Sequence, residues 1–265
     1  MPAAVAAQAE GVVAVDTETD MLDCVSCGLV GISLAVAPNA ACYIPVGHGG
    51  TDMFAERPAQ LDKALVLAKL KPLLEDDSVL KIGQNLKYDM TVLRRHEIEV
   101  APYDDTIVMS FDLEAGKSLS GHGMDEAARQ HLGHECISFK EVVGTGKNQI
   151  SFSEVPLPRA TEYAAEDADV TLRLWKRFKA RIANEGASRV YELVDRPLVG
   201  VIAKMEHQGI KVDREALSRL SAEFTAGIAA LETGFASPAP AQLEQLRRLI
   251  KLGDATPVNS QPAGV

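Results

Sequence analysis

Two acidic residues close an apolar run near the start of the chain. Residues 12–15 predict a buried β-strand, and Asp16 and Glu18 follow directly in the sequence VVAVDTETD. Side chains two residues apart on a strand point to the same face, so these carboxylates are predicted to lie side by side. Buried carboxylates repel each other and lose solvation. The pattern therefore predicts either a cation between them or a solvated loop in which the spacing has no role.

Two other segments place an acid one helical turn after a polar side chain. In GQNLKYD, Asn85 and Asp89 are four residues apart and share one face of the predicted helix. Tyr163 and Asp167 have the same spacing in YAAED, where alanines beside the acid allow close approach to another surface. Each segment alone also has a structural explanation, because acids favour the first turn of a helix and solvated helix faces are often acidic.

Taken together, the four acids predict a site for hard divalent cations. Clusters of carboxylate oxygens suit Mg²⁺ or Mn²⁺. Two such ions, ~3.5–4 Å apart, form a clamp for in-line phosphodiester hydrolysis. A tyrosine hydroxyl within reach can orient the attacking water. The predicted metal ligands and catalytic residues are Asp16, Glu18, Asp89 and Asp167, with Tyr163 as a further catalytic residue.

The predicted elements around these residues form an α/β layer architecture. An antiparallel meander is predicted from three apolar runs with short links, at residues 12–15, 29–37 and 41–46. A further strand is predicted at 78–82 and a loop at 144–153. Helical periodicity predicts helices at 60–74, 86–95, 106–113, 124–132, 159–182, 190–207 and 213–231.

The composition is that of a globular protein with a substantial core. The chain has 265 residues, 46% of them hydrophobic, and a net charge of −10. It has no run of ~20 apolar residues and no basic N-terminal leader, so we expect a cytoplasmic protein, outside the membrane, and a monomer. The acidic charge counts against a general nucleic-acid binder, although residues 173–181 contain five cations.

Cys24 and Cys27 form a lone C-x-x-C without the second half of a zinc site, which predicts reduced thiols.

The motifs DTETD, GQNLKYD and YAAEDADVTLRL, in this order, resemble the proofreading 3′–5′ exonuclease domain of bacterial DNA polymerase I, in family A of the polymerases. The resemblance spans residues 11–182 and includes ACYIPVGH, HGMDEAA and GTGKNQISF. It implies a ribonuclease H-like mixed sheet flanked by helices, followed by a helical extension. It also implies a bacterial enzyme that hydrolyses single-stranded DNA from its 3′ end with two divalent ions, Mg²⁺ or Mn²⁺, with Zn²⁺ as an alternative at one site.

The resemblance implies a role for each matched residue. Asp16 would bridge both ions, and Glu18 and Asp167 would complete the shell of the first. Asp89 would reach the second ion through water, and Tyr163 would position the nucleophilic water. The residues implied to bind substrate are Thr19 and Leu22 at the terminal nucleotide, Asn85 and Tyr88 along the single-strand channel, and Phe152 as a base-stacking ring.

Three parts are predicted along the chain. Residues 1–185 form the exonuclease domain, and residues 186–232 resemble the helical start of the polymerase domain, where the thumb begins. Residues 233–265 diverge from the family and are predicted to be largely disordered apart from a helix at 242–252. The sequence shows no palm or fingers motif, so no polymerase activity is expected of this chain, and a polymerase domain is its expected partner.

Two alternatives to a DNA exonuclease stay open. One is an exoribonuclease like the ribonuclease D group, which shares the four acids and the tyrosine. The other is a catalytically weak module that binds single strands or supports a polymerase. The intact acids and the polymerase-like helices after residue 187 favour the DNA exonuclease. Asp20 and Glu166 are acidic neighbours of the motifs and are not expected to be ligands.

Overall fold

A central five-stranded sheet holds the start of the first motif. The computed structural model of the chain describes residues 2–49, 58–114, 116 and 121–236. The strands are β1 Val12–Thr19, β2 Leu29–Ala37, β3 Ala40–Pro45, β4 Leu80–Gly83 and β5 Tyr103–Asp105. Their order is β3-β2-β1-β4-β5, which places β1 in the middle. The first three strands are antiparallel neighbours and β4 and β5 run parallel to β1, so the predicted meander and mixed sheet are confirmed.

Helices pack against this sheet, as expected for the α/β class. In the first part of the chain they are α1 Pro2–Glu10, α2 Lys63–Leu74, α3 Leu86–Arg94, α4 Thr106–Glu114, α5 Met124–Leu132, α6 Phe139–Val143 and α7 Leu157–Asn184. Later helices are α8 Ser188–Val190, α9 Arg196–Gln208 and α10 Arg214–Ala236. The sequence did not predict α1 or the three-residue β5. The predicted loop at 144–153 contains short 3-10 turns at Gly146–Asn148 and Phe152–Glu154.

Small residues bring α7 close to the sheet. Ala160, Ala164 and Ala168 recur every four residues and are fully buried, so they form one face of the helix. Since alanine adds only a methyl group, the helix backbone can lie near β1 and β2. The close approach expected from the alanines around Asp167 is therefore observed, and it places that acid beside the end of β1.

A tight turn sets the start of α3. A Cβ added to Gly83 would lie 2.5 Å from the side chain of Leu86, so only glycine fits there. Asn85 follows with φ 60°, a left-handed conformation that asparagine tolerates. The carboxylate of Asp105 accepts hydrogen bonds from the backbone N–H groups of Asn85 and Leu86, at 3.1 and 2.9 Å. These contacts satisfy donors that a helix start leaves free and fix the helix that carries Asp89.

The buried carboxylate of Asp104 ties the segment after residue 185 to the sheet. It accepts hydrogen bonds from Trp175 Nε1 at 2.8 Å and from the buried hydroxyl of Tyr191 at 3.0 Å. Lys179 and Arg196 neutralise it at 3.1 and 3.2 Å. The helix predicted over 190–207 is interrupted here by a π-helical turn at Tyr191–Asp195, before the helix that begins at Arg196.

The chain divides into two compact units, Met1–Gly209 and Ile210–Val265. The first continues beyond residue 185, where the sequence predicts a boundary, because Tyr191 and Val199 are part of its core. The second contains α10. The three predicted parts stay a prediction. The expected disordered tail begins at residue 233, but α10 extends to Ala236, and the rest of the tail, with the helix expected at 242–252, lies outside the described residues. No helix in the described part of the chain is long and apolar enough to span a membrane.

Candidate active site

Three carboxylates from distant parts of the sequence meet beside the end of β1. Asp16, Glu18 and Asp167 each offer an oxygen within 4.8 Å of the others. Glu18 and Asp167 are only 7% and 6% exposed, whereas Asp16 is partly exposed. The register of β1 against β2 shifts between Glu18 and Thr19, and such irregularities redirect side chains at strand ends. The sheet and α7 together therefore build a compact acidic centre.

The fourth predicted acid, Asp89, lies next to this centre and is held by the first motif. It is 2% exposed. Its Oδ1 accepts hydrogen bonds from the backbone N–H of Thr17 at 2.9 Å and from the Thr17 hydroxyl at 2.6 Å. Both contacts use the same oxygen, so Thr17 fixes the orientation of the Asp89 carboxylate. Thr17, between the two acids of the first motif, thus connects β1 to α3.

The acids shift one another's protonation. Burial raises the pKa of Asp16 to about 6. Burial also raises the pKa of Glu18 well above its usual value, and the charges of Asp16, Asp167 and Asp89 add to the rise. The pKa values of Asp89 and Asp167 are raised for the same two reasons, burial first and the charge of Asp16 second. Cations bound among these carboxylates would offset the repulsion between them and favour their ionised forms.

Two orphaned oxygens support a metal at this position. Glu18 Oε1 and Asp167 Oδ1 are buried and have no hydrogen-bond partner among the described residues. Buried polar atoms rarely remain unpaired, and an unpaired one calls for an ion or a water. Because the donors are all carboxylate oxygens, they match the preferences of Mg²⁺ and Mn²⁺. The residues present therefore fit divalent metal binding.

Tyr163 lies over the acidic centre and stays protonated. Its hydroxyl is near enough to Asp167 and Glu18 for their charges to act on it. Burial, followed by the charges of Asp167 and Glu18, raises the pKa of Tyr163 far above its usual value of 10. The phenol is therefore a hydrogen-bond donor at every physiological pH.

A cleft of about 260 Å³ opens beside the acids. Four of the five residues predicted to bind substrate line it: Thr19, Leu22, Tyr88 and Phe152. The hydroxyls of Thr19 and Tyr88 are 2.6 Å apart and join its two walls. The fifth, Asn85, does not line this cleft and instead borders a separate cavity beside α4 and α9.

Phe152 occupies an unexpected environment. Its side chain is 2% exposed, and its ring lies among those of Tyr43, His48, Phe139 and Tyr163. It therefore offers little open surface to a base. The sequence reasoning missed Phe139 and Ile150, which are exposed in the same cleft. No spacing in the sequence distinguishes Phe139 or Ile150 from other apolar residues. The sequence reasoning also missed Thr17, although its position between Asp16 and Glu18 in DTETD could have indicated a role in the site.

The acidic neighbours of the motifs have partners elsewhere. Asp20 Oδ1 accepts a hydrogen bond from the backbone N–H of Gly28 at 2.7 Å. Glu166 accepts one from the backbone N–H of Ile137 at 2.6 Å and contacts His134 Nε2 at 2.9 Å. Neither belongs to the group of three carboxylates, and their not being ligands stays a prediction.

Comparison with known proteins identifies the family. A family model described as a 3′–5′ exonuclease matches residues 3–183. The chain belongs to this 3′–5′ exonuclease family. DNA polymerase I of Rhizobium leguminosarum is 48% identical over 239 residues, which cover 85% of this chain and 23% of that protein. The resemblance to the exonuclease domain of bacterial DNA polymerase I is thus confirmed, and the chain spans less than a quarter of that relative's length.

Solved structures show the same fold. NrnC of Brucella melitensis with bound Mg²⁺ matches with a TM-score of 0.56 and 21% identity, over 77% of this exonuclease chain and 89% of that chain. Escherichia coli RNase D, described as an exoribonuclease involved in structured RNA processing, matches with a TM-score of 0.52 and 18% identity, over 78% and 48%. The ribonuclease H-like fold is therefore confirmed.

Proposed function

We propose that this exonuclease domain removes nucleotides from the 3′ end of single-stranded DNA by hydrolysing the terminal phosphodiester bond. The observation that carries the proposal is the convergence of Asp16, Glu18 and Asp167 within 4.8 Å, with buried oxygens that find no partner among the residues that the structure describes. Asp89 supplies the fourth carboxylate, which accepts a hydrogen bond from the backbone N–H of Thr17. The relatives named DNA polymerase I support DNA as the substrate and proofreading as the role.

The four carboxylates are the proposed ligands of two divalent ions, Mg²⁺ or Mn²⁺. Asp16, Glu18 and Asp167 would hold one ion, and Asp16 and Asp89 the other. Such ions supply a water of lowered pKa and neutralise the negative charge that develops on the phosphate. The hydrogen bonds from Thr17 keep Asp89 turned towards the centre, so the fourth carboxylate is positioned before substrate arrives.

Tyr163 is the proposed water-positioning residue. Its protonated hydroxyl donates a hydrogen bond and its oxygen can accept one from a water. Tyr163 and Asp167 lie one turn apart on α7, so the phenol would orient an attacking water beside the carboxylates. Thr19, Leu22 and Tyr88 would bind the terminal nucleotide in the adjacent cleft.

An exoribonuclease activity is the second candidate. Its support is the fold shared with RNase D. The two substrates differ by the 2′-hydroxyl, which a protein can read only through a group placed beside it. A direct comparison of DNA and RNA strands of the same sequence therefore decides between them.

The test is a gel assay with single-stranded DNA labelled at either end. We expect a ladder that shortens from the 3′ end with Mg²⁺ or Mn²⁺, and no cleavage with EDTA or in Asp89→Ala. Asp169→Asn is the matched control, because Asp169 lies on the same helix as Asp167 but contacts Asn39 and Arg173 instead. Faster cleavage of the RNA strand would favour the second candidate. A folded wild-type protein that cleaves neither strand would contradict both.

A further inference from the structure

Two cysteines that the proposed function does not use lie in the turn between β1 and β2. Cys24 and Cys27 both carry free thiols. Cys24 is partly exposed, whereas Cys27 is only 1% exposed. The turn continues directly from Met21 and Leu22, which line the cleft beside the acids. A change in the chemistry of this turn can therefore reach the proposed substrate site.

Backbone hydrogen bonds bring the two cysteines within reach of each other. The carbonyl oxygen of Asp23 accepts hydrogen bonds from the backbone N–H groups of Ser26 at 3.1 Å and Cys27 at 2.8 Å. These contacts form a single helical turn, in which residues three apart have Cα atoms about 5 Å apart. A disulfide needs a Cα separation of roughly 4.4–6.8 Å. The backbone of the turn therefore already allows a bond between Cys24 and Cys27.

Arg95, at the end of α3, holds the same turn from outside it. Its guanidinium donates to the backbone oxygen of Cys24 at 3.4 Å and to the backbone oxygen of Cys27. Its Nη1 also lies 3.6 Å from the sulfur of Cys27. Because one side chain holds both carbonyls, a bond between the two cysteines would order little of the chain that is not already ordered.

The sulfur of Cys27 also contacts a wall of the cleft. The hydroxyl of Tyr88 lies 4.0 Å from this sulfur, 3.0 Å from the backbone oxygen of Met21 and 2.6 Å from the hydroxyl of Thr19. Thr19, Met21 and Tyr88 all line the cleft. Because the two sulfurs of a disulfide are about 2.05 Å apart, Cys27 Sγ must move towards Cys24 when the bond forms. Its contact with Tyr88 then changes.

We propose that Cys24 and Cys27 form a reversible redox modification site, and that their disulfide weakens binding of the strand by removing a contact of Tyr88. The effect on the strand rests on the proposed function, whereas formation of the bond does not. The oxidant is the disulfide of a small thiol, such as glutathione disulfide.

Two thiol–disulfide exchange steps balance the reaction. The thiolate of Cys24, the more exposed of the two, attacks one sulfur of glutathione disulfide, which forms a mixed disulfide and releases one glutathione thiolate. The thiolate of Cys27 then attacks the Cys24 sulfur, which closes the protein disulfide and releases the second glutathione. The cysteines lose two protons and two electrons, which the two glutathione molecules gain. Burial, followed by the charge of Asp23, raises the pKa of the Cys24 thiol, so exchange should be faster at pH 8.5 than at pH 7.

The first test counts thiols after the folded protein has been incubated with glutathione disulfide at pH 8.5. Unfolded and treated with N-ethylmaleimide, oxidised wild type should bind two equivalents instead of four and carry no glutathione. Cys24→Ser and Cys27→Ser should keep three thiols or carry glutathione, because each lacks one partner. Cys42→Ser is the matched control, since Cys42 lies on β3, and it should bind one equivalent instead of three. Four reactive thiols in wild type, or glutathione adducts without loss of a second thiol, would overturn the site.

The second test compares reduced and oxidised protein on a single-stranded DNA decamer with Mg²⁺. Oxidation should raise KM by roughly 2- to 10-fold, the effect of losing one hydrogen bond. It should change kcat less, because none of the four carboxylates lies in the turn. The rise in KM should be reversed by the reductant TCEP and absent in Cys24→Ser.

Fluorescence anisotropy of a labelled decamer in EDTA gives the same comparison without hydrolysis. A weaker dissociation constant in the oxidised protein supports the inference even if no strand is cleaved, in which case only the proposed hydrolysis fails. Cleavage by wild type with KM and the dissociation constant both unchanged in fully oxidised protein would overturn the effect on the strand and leave the proposed function intact.

Discussion

Replacing Thr17 with valine tests whether one hydroxyl positions Asp89. The Thr17 hydroxyl lies 2.6 Å from Asp89 Oδ1, and the Thr17 backbone N–H donates to the same oxygen at 2.9 Å. Valine has nearly the same shape as threonine. The exchange therefore removes one of the two donors while keeping the backbone contact and the packing of β1.

The expected magnitude follows from the burial of both partners. A hydrogen bond to a charged group contributes about 1.5–3 kcal/mol, and Thr17 and Asp89 are 6% and 2% exposed. Because the backbone donor remains, we expect the lower end, a loss of about 1.5 kcal/mol in the free energy of unfolding at pH 8 with Mg²⁺. If the same contact positions Asp89 in the transition state, kcat should fall about tenfold, since about 1.4 kcal/mol corresponds to a factor of ten.

A double-mutant cycle with Asp89→Ala isolates the contact. The effect of Thr17→Val should largely disappear once the acceptor is absent, and Thr17→Ser, which keeps the hydroxyl, should retain most of the activity. Thr91→Val is the matched control, because Thr91 is buried on α3 but donates to the backbone oxygen of Lys87. A coupling free energy below about 0.3 kcal/mol, which is the scatter for independent sites, would refute the reasoning.

Four further predictions concern metal, pH, packing and charge. Replacing EDTA with millimolar Mg²⁺ or Mn²⁺ should raise the melting temperature by roughly 5 °C, because ions that bind only the folded state stabilise it, and the rise should be lost in Asp16→Asn. Burial, together with the hydrogen bond to Asp195 and its negative charge, raises the pKa of Asp112 to about 7. The folded state then holds a proton that the unfolded state releases, so stability falls as pH rises from about 4 to 7. Urea unfolding of the wild type should give a free energy of unfolding that is about 1 kcal/mol lower at pH 8 than at pH 5, after allowance for the exposed part of Asp112. The Asp112→Asn variant should not show this decrease. Asp104→Ala should lower the free energy of unfolding by about 2–4 kcal/mol, because Trp175 Nε1 and the Tyr191 hydroxyl lose their buried acceptor; a loss below about 1 kcal/mol would contradict this role. Lys176 and Arg177 are the exposed cations of segment 173–181 and form no ion pair with a described residue. Replacing both with glutamate should therefore reduce the slope of log K for DNA binding against log salt concentration by about 1–2. An unchanged slope would show that they do not contact the DNA.

The sequence predicted the scaffold of the site well because local patterns determine it. The apolar run before Asp16 gives β1, and the short links around Pro38 give the antiparallel neighbours. Helical periodicity gives α7, with Tyr163 and Asp167 one turn apart. These features depend on residues close in sequence, so periodicity and turn chemistry are sufficient to predict them.

The contacts that complete the site could not be predicted in the same way. The hydrogen bonds from Thr17 to Asp89 join residues 72 positions apart, and no local pattern encodes such a pair. The burial of Phe152 likewise depends on tertiary packing, because it joins a buried cluster with Val30 of β2 and Ala164 of α7, whereas Phe139 is 41% exposed. Both are phenylalanines in polar surroundings, so composition does not predict which of them is buried.

The scattered origin of the acids has a consequence for biosynthesis. Asp16 comes from the first strand and Asp167 from α7, with most of the domain between them. A ribosome releases the N-terminal strands long before α7 has been translated, so a nascent chain holds only incomplete sets of ligands. Contacts between segments so distant in sequence form late in folding. We therefore expect exonuclease activity to arise only once the domain is complete.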